Sequence, residues 1–230
     1  WSYSAWASWK ECAFRFYHAY YLGMRGPSNF AMDRGTHIHS LQENYLKGKI
    51  IGVPRALADL QVELRGLKAA KPIVEQFWGV TSEWMPSKNE KTSWCVMKMD
   101  AAVPPSRKDR TLYIQDLKTG RVYPDKHEAQ GSLYATIGHA LYHTVERVEV
   151  EFWYADQDGH VETYTFDSKK LKQIRKKWDA EGRAMFDPKQ EYIPTPSDDA
   201  CRWCHLRTDK GQFKICDGWK RLKKTSSSRR

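Results

Sequence analysis

The most chemically suggestive stretch of this 230-residue chain is Tyr113-Ile114-Gln115-Asp116-Leu117-Lys118-Thr119-Gly120. An apolar run ends in an acid, one apolar residue and a lysine. Side chains alternate across a strand, so Asp116 and Lys118 share one face while Leu117 turns into the core. A carboxylate beside an ammonium at the open end of a strand suits phosphoryl chemistry. Asp116 can hold a hard cation such as Mg²⁺, and Lys118 can orient or help deprotonate an attacking water. The same triplet also arises as a plain solvated ion pair, so it counts only with partners.

Three partners stand at suitable distances along the chain. Asp100 lies deep in the apolar run Val96–Val103, one hairpin before Asp116. The neighbouring strand should set it beside Asp116, and two buried carboxylates together are costly unless a cation neutralises them. The alternative is an acid that caps a strand end. On an earlier helix, Gly35, His39 and Glu43 recur every fourth residue and share a face. The glycine lets that helix approach another backbone, and a neutral imidazole is a good further metal ligand. His37 points about 160° away from His39 on a 3.6-residue helix and is set aside. On the helix after the D-x-K strand, Gln130 and Tyr134 lie one turn apart, able to bond a phosphate or hold Lys118 in place.

Taken in order, G-x-x-x-H-x-x-x-E, an acid on a strand, D-x-K-T-G and Q-x-x-x-Y resemble the motif set of the RecB-like branch of the PD-(D/E)xK nucleases, over roughly residues 33 to 135. The resemblance implies a metal-dependent DNA exonuclease that uses Mg²⁺ or Mn²⁺. It makes His39, Asp100 and Asp116 metal ligands, with the Leu117 carbonyl as a further one. Lys118 becomes the catalytic lysine, Gln130 and Tyr134 supporting site residues, and Glu43 the trailing acid of the helical motif. Relatives usually carry a glycine near the acid, where this chain has Lys98-Met99 before Asp100. The implied role is processing of DNA ends for recombination or repair, in the cytoplasm of a bacterium or a phage-infected cell. No G-x-x-x-x-G-K-[ST] occurs, so any helicase motor is expected on a separate protein.

The five cysteines are Cys12, Cys95, Cys201, Cys204 and Cys216. One C-x-x-C in a chain without a secretory pattern reads as reduced thiols serving a metal or cluster rather than as disulfides. Cys12, Cys201, Cys204 and Cys216 resemble the iron–sulfur subgroup, including AddB-type nucleases and the CRISPR-associated RecB-like exonucleases. There one N-terminal cysteine and three near the C-terminus hold a [4Fe–4S] cluster that clamps the chain ends. The Cys204–Cys216 gap is longer than in those relatives. A structural Zn²⁺ on Cys201, Cys204, Cys216 and either Cys12 or His205 also satisfies tetrahedral coordination, and an accidental C-x-x-C is the third reading. Cys95 is expected as a buried structural thiol.

The elements that must position these groups follow from periodicity. Helices are expected over Ser2–Leu22, Asp33–Lys47 and Pro54–Ala70, the last with Leu57, Leu60, Leu64 and Leu67 at helical spacing. Strands are expected over Ile73–Val80, Thr92–Val103, Thr111–Lys118, Arg147–Ala155 and Val161–Phe166, with helices over Asp125–His143 and Ser168–Phe186. This order predicts an α/β (α+β) restriction-endonuclease-like core, a mixed central sheet flanked by helices, with an N-terminal helical cap and a cysteine-clamped C-terminal segment. The expectation is one nuclease domain over 1–219, in which 1–72 is helical, 73–186 forms the sheet core and 187–219 is the cysteine segment. A basic flexible tail at 220–230 is expected to follow it. Net charge of +10 and a pI near 9.3 favour a polyanionic partner, here DNA. The run Lys169–Lys177 either tracks a DNA backbone or is the solvated face of an amphipathic helix. No apolar run reaches the roughly 20 residues of a membrane span, and no leader pattern is present, although the chain begins with Trp1 rather than a methionine. Two other classes stay open at this level: a non-catalytic nucleic-acid-binding protein on the same fold, and a zinc-stabilised interaction protein. Oligomeric state is not legible.

Overall fold

The computed structural model describes residues 1–220 and Leu222. Of the expected basic tail, only Lys220 and Leu222 fall among them. Helix α1 (Tyr3–Glu11) is followed by α2 (Ala13–Phe16), which runs on into a π-helical turn, Tyr17–Tyr21. Next come α3 (Phe30–Leu46) and a 3-10 segment, Arg55–Leu60, leading into α4 (Gln61–Ala69). Strands β1 (Ile73–Val80), β2 (Pro86–Ser87), β3 (Cys95–Val103) and β4 (Thr111–Lys118) precede α5 (Pro124–Leu141). Then follow β5 (Arg147–Tyr154), β6 (Val161–Asp167), α6 (Ser168–Met185) and α7 (Asp198–Arg202). None of the helices is long and apolar enough to cross a membrane. The chain divides into two compact units, Asn29–Asp179 and Trp1–Ser28 with Ala180–Arg230.

The unit Asn29–Asp179 holds a six-stranded mixed sheet of order β2-β1-β3-β4-β5-β6. Neighbouring strands run antiparallel except β4 and β5, which pair in parallel from Thr111↔Arg147 to Lys118↔Tyr154. A parallel pair needs a crossover, and α5 supplies it. A methyl group on Gly138 would stand 2.5 Å from Leu112 Cδ2, so α5 lies close on the β4 side chains because this position has none. On α3, the Asn29 side chain caps the helix by accepting from the Met32 N–H at 3.0 Å. The leucine stripe behaves as its spacing predicts. Leu57, Leu60, Leu64 and Leu67 are all buried, in a cluster with Ile38, Tyr45, Ala101, Leu117 and Trp153. Pro54 and the non-helical Leu57 (φ −124°, ψ 20°) make the first turn of that stretch 3-10 rather than α.

Two other boundaries move for local reasons. β3 starts at Cys95 rather than Thr92, because Asn89 turns the chain: its side chain accepts from the Lys91 N–H and its carbonyl from the Ser93 N–H. The short edge strand β2 begins at Pro86, a residue that suits an edge because it lacks a donor.

In the other unit the expected long first helix is broken at Cys12, whose backbone is extended (φ −163°, ψ 106°). The Glu11 carbonyl instead accepts from the Thr195 hydroxyl at 3.2 Å, a long-range bond overriding local helix propensity. Phe16, Ala5 and Met185 pack there with Trp1, Trp6, Trp9, Phe186 and Tyr192. Ser197 caps α7 by accepting from the Ala200 N–H at 3.0 Å.

Candidate active site

The two strands of the expected hairpin pair as Ala101↔Gln115, Ala102↔Ile114 and Val103↔Tyr113. Extending that register sets Asp100 opposite Asp116, as the sequence suggests. The Asp100 carboxylate lies against this end of β4: its Oδ2 accepts from the Leu117 N–H at 2.6 Å, and its Oδ1 bonds His39 Nδ1 at 2.9 Å. Leu117 itself is buried on the opposite face, among the leucines of α4. Gly35 brings α3 close to the loop after β4, since a methyl group there would lie 3.0 Å from Thr119 Oγ1. The glycine one turn before the histidine therefore meets a side-chain hydroxyl at close range, where its spacing predicts the approach of another backbone.

Asp116 and Lys118 share a face as alternation requires. Lys118 Nζ lies 2.7 Å from Asp116 Oδ2 and donates to Gln130 Oε1 at 2.9 Å. Gln130 Nε2 donates to the Tyr134 hydroxyl at 2.7 Å and to Asp116 Oδ1 at 3.4 Å. The Q-x-x-x-Y pair of α5 thus holds the lysine and the acid together, and the Lys118 ammonium sits 5.0 Å above the Phe152 ring.

The electrostatics follow from this packing. Burial pushes the Asp100 carboxyl above the usual carboxylate range, with the Asp116 charge adding to it and the His39 hydrogen bond opposing. Burial disfavours charge on His39, but its bond to Asp100 and the charges of Asp100, Asp116 and Glu75 outweigh this and raise its pKa. Tyr134 is held well above the ordinary tyrosine value, first by burial and then by Asp116. It is a neutral hydrogen-bonding group at any ordinary pH. His127 is held low, first by burial and then by the Lys118 charge.

The acid Glu75, on β1, is not among the residues that the sequence motifs single out. His39, Glu75 and Asp100 offer ligand atoms that all lie within 4.8 Å of one another. The signal for Glu75 would have been the antiparallel register of β1 on β3, which places an acid across from Asp100. Asp116, expected as a metal ligand, lies outside that set and pairs with Lys118 instead, and Glu43 also lies outside it, pairing with Lys47 at 2.6 Å one turn along α3. His37 is exposed.

The four cysteines of the expected cluster come together electrostatically within the unit formed by the two chain ends. Burial raises the Cys204 thiol, and Cys12 and Cys216 raise it further. Burial likewise raises Cys216, with added contributions from Cys12 and Cys201. The long gap between Cys204 and Cys216 is a folded turn. The N–H groups of Ile215 and Cys216 both donate to the Leu206 carbonyl, at 2.9 and 2.7 Å, and the Arg207 guanidinium donates to the Cys201 carbonyl at 3.1 Å. Among the described residues no three of these thiols approach within 4.8 Å of one another. Cys95 is fully buried and its thiol is pushed up to about 12 by burial.

Comparison with known proteins bears on the fold and the family. The family model described as the PD-(D/E)XK nuclease superfamily matches residues 1–101 and 98–208. No curated protein matches the chain in sequence. Among solved structures, a candidate exonuclease from Eubacterium rectale superposes with a TM-score of 0.52, 12% identity, and coverage of 87% of this chain and 86% of that one. A second, SSO0001, gives a TM-score of 0.40 at 14% identity over 94% of this chain and 85% of its own. At these identities the first speaks to the fold alone, and the second is too distant in shape to carry an argument.

Proposed function

This chain belongs to the PD-(D/E)XK nuclease superfamily, and on that premise we propose that it is a divalent-metal-dependent deoxyribonuclease that degrades DNA from its ends. The observation that carries the reading is the pair of hydrogen-bonded groups His39–Asp100 and Asp116–Lys118–Gln130–Tyr134, whose acids stand opposite one another on β3 and β4. His39, Asp100 and Asp116 offer one imidazole and two carboxylates, and by resemblance the Leu117 carbonyl joins them, a donor set that takes Mg²⁺ or Mn²⁺. A cation bound there supplies charge neutralisation at the phosphate and a lowered pKa for water. Lys118 has three donors, two of them engaged by Asp116 and Gln130, and the third serves the attacking water or a phosphate oxygen. Gln130 acts as a positioning residue, fixing the lysine through one end of its amide while the other end rests on Tyr134. Tyr134, kept neutral by its burial, anchors that amide and takes no part in proton transfer.

End processing for recombination or repair is the role that fits a chain with this site. The net charge of +10 favours a DNA substrate. For the cysteines we favour an iron–sulfur cluster on Cys12, Cys201, Cys204 and Cys216, tying the two ends of residues 1–219 into one working nuclease domain. The four thiols supply the donors, with Cys204 and Cys216 each within electrostatic reach of Cys12 and of one another.

Digestion of linear double-stranded, linear single-stranded and closed circular DNA tests the proposal. Linear forms should disappear with Mg²⁺ or Mn²⁺ and survive with chelator, while circles persist. Degraded circles would make the enzyme an endonuclease. Intact linear DNA in every metal would remove the catalytic reading.

A further inference from the structure

Strands β1, β3 and β4 each carry one acid, and the three stand in a single row across the sheet. β1 pairs Val74 with Ala101 and Gln76 with Met99, which sets Glu75 opposite Asp100. The β3–β4 register in turn sets Asp100 opposite Asp116. Glu75 has φ +54° inside a strand, a conformation that a residue with a Cβ adopts only when its surroundings hold it there. Its side chain is only 12% exposed and turns toward His39 and Asp100. Among the described residues Lys98 answers its charge: Lys98 Nζ lies 2.5 Å from Glu75 Oε2, while the Lys98 side chain is itself 70% exposed. Lys98 also lies within electrostatic reach of Glu43 and Asp100.

We propose that Glu75 is a ligand of the divalent cation, completing a His39–Glu75–Asp100 set, and that Lys98 is its displaceable counterion. The inference rests on the metal-dependent reading above and adds to it a residue outside the helix, strand and D-x-K motifs. The chemistry is a mixed imidazole and carboxylate set, which suits Mn²⁺ as well as Mg²⁺. A cation seated among the three groups competes with the Lys98 ammonium for the same carboxylate. The long lysine stem lets that ammonium swing into solvent. Lys98 therefore tunes metal affinity through the carboxylate it shares with the cation.

The test is Mn²⁺ binding by calorimetry without DNA, together with the number of waters on bound Eu³⁺ from its luminescence lifetimes. Glu75→Gln should weaken Mn²⁺ by roughly tenfold or more and should leave about one additional water on Eu³⁺. Lys98→Met should tighten Mn²⁺, and that gain should vanish in the Glu75→Gln background. Asp100→Asn serves as the reference for the underlying reading. If Asp100→Asn loses Mn²⁺ while Glu75→Gln binds it as wild type does, with unchanged hydration, Glu75 is not a ligand and the reading of the site survives. If neither variant alters binding, both fall. Should Glu75→Gln fail to fold, the Lys98→Met variant still decides: unchanged Mn²⁺ affinity there overturns the proposal.

Discussion

At the scale of single residues, the site groups legible in the sequence are those whose role follows from local spacing. Asp116 and Lys118 share a face because strands alternate, and Gln130 meets Tyr134 because helices repeat every 3.6 residues. Glu75 is not legible, since its position depends on how β1 registers against β3 and on a positive φ that no local pattern announces. His127 is a second residue that the motifs pass over. It is stacked on Phe152, 5.1 Å between ring centroids, and hydrogen-bonded to the Tyr154 hydroxyl. Its pKa is lowered in the folded state, so the unfolded chain binds the proton more readily, near its ordinary value of about 6.5. His127 therefore contributes stability that is present above that value and is lost as pH falls toward the lowered one. Urea unfolding of wild type and His127→Gln at about pH 7.5 and 5.5 should show wild type losing more stability on acidification. Equal losses would mean that His127 titrates alike in both states.

At the scale of elements, α3 must be fixed against β4 if His39 is to meet Asp100. A buried amide pair contributes to that: Gln42 Nε2 donates to Gln115 Oε1 at 2.5 Å, with both side chains almost wholly buried. Gln42 Oε1 and Gln115 Nε2 have no partner among the described residues, so the pair stabilises weakly while fixing one registration. Gln42→Leu alone takes away the donor to Gln115 Oε1, leaving both ends of that buried amide without a partner, and should cost about 1–3 kcal/mol. Gln42→Leu with Gln115→Leu should recover much of that in denaturant unfolding, at the expense of the α3–β4 register. A double variant as unstable as the single would show that the amides matter by shape and not by hydrogen bonding. The strands, α5, α6 and the leucine stripe of α4 are readable from periodicity within a few residues. The break at Cys12 is not, because the bond that sustains it comes from Thr195, at the far end of the chain.

At the scale of the whole molecule, part of the basic composition lies on one helix. In α6 the run at 169–177 buries Leu171, and beyond it Trp178, while its lysines and arginine are exposed, which is the amphipathic surface face weighed against a DNA track. In the unit made from both chain ends, Cys12 and Cys216 raise the Cys204 thiol, and Cys12 and Cys201 raise the Cys216 thiol, and these four are the thiols of the expected cluster. If they hold a cluster, Cys12→Ser should lower its iron and acid-labile sulfide content. It should also lower the melting temperature by about 5–10 °C, the scale expected when a few kcal/mol of ligand-linked stability is lost. Stoichiometric zinc without iron would instead assign a zinc site to the same thiols.

The most direct test of the central claim is the single-turnover rate of linear DNA cleavage in Mn²⁺ for wild type and Lys118→Ala, with Mn²⁺ binding measured on both. A nuclease working through this site predicts metal retained by the variant and a rate lower by about 10²–10⁴-fold. A variant that binds metal and cuts at the wild-type rate would contradict it, and the chemistry would have to lie elsewhere in the chain.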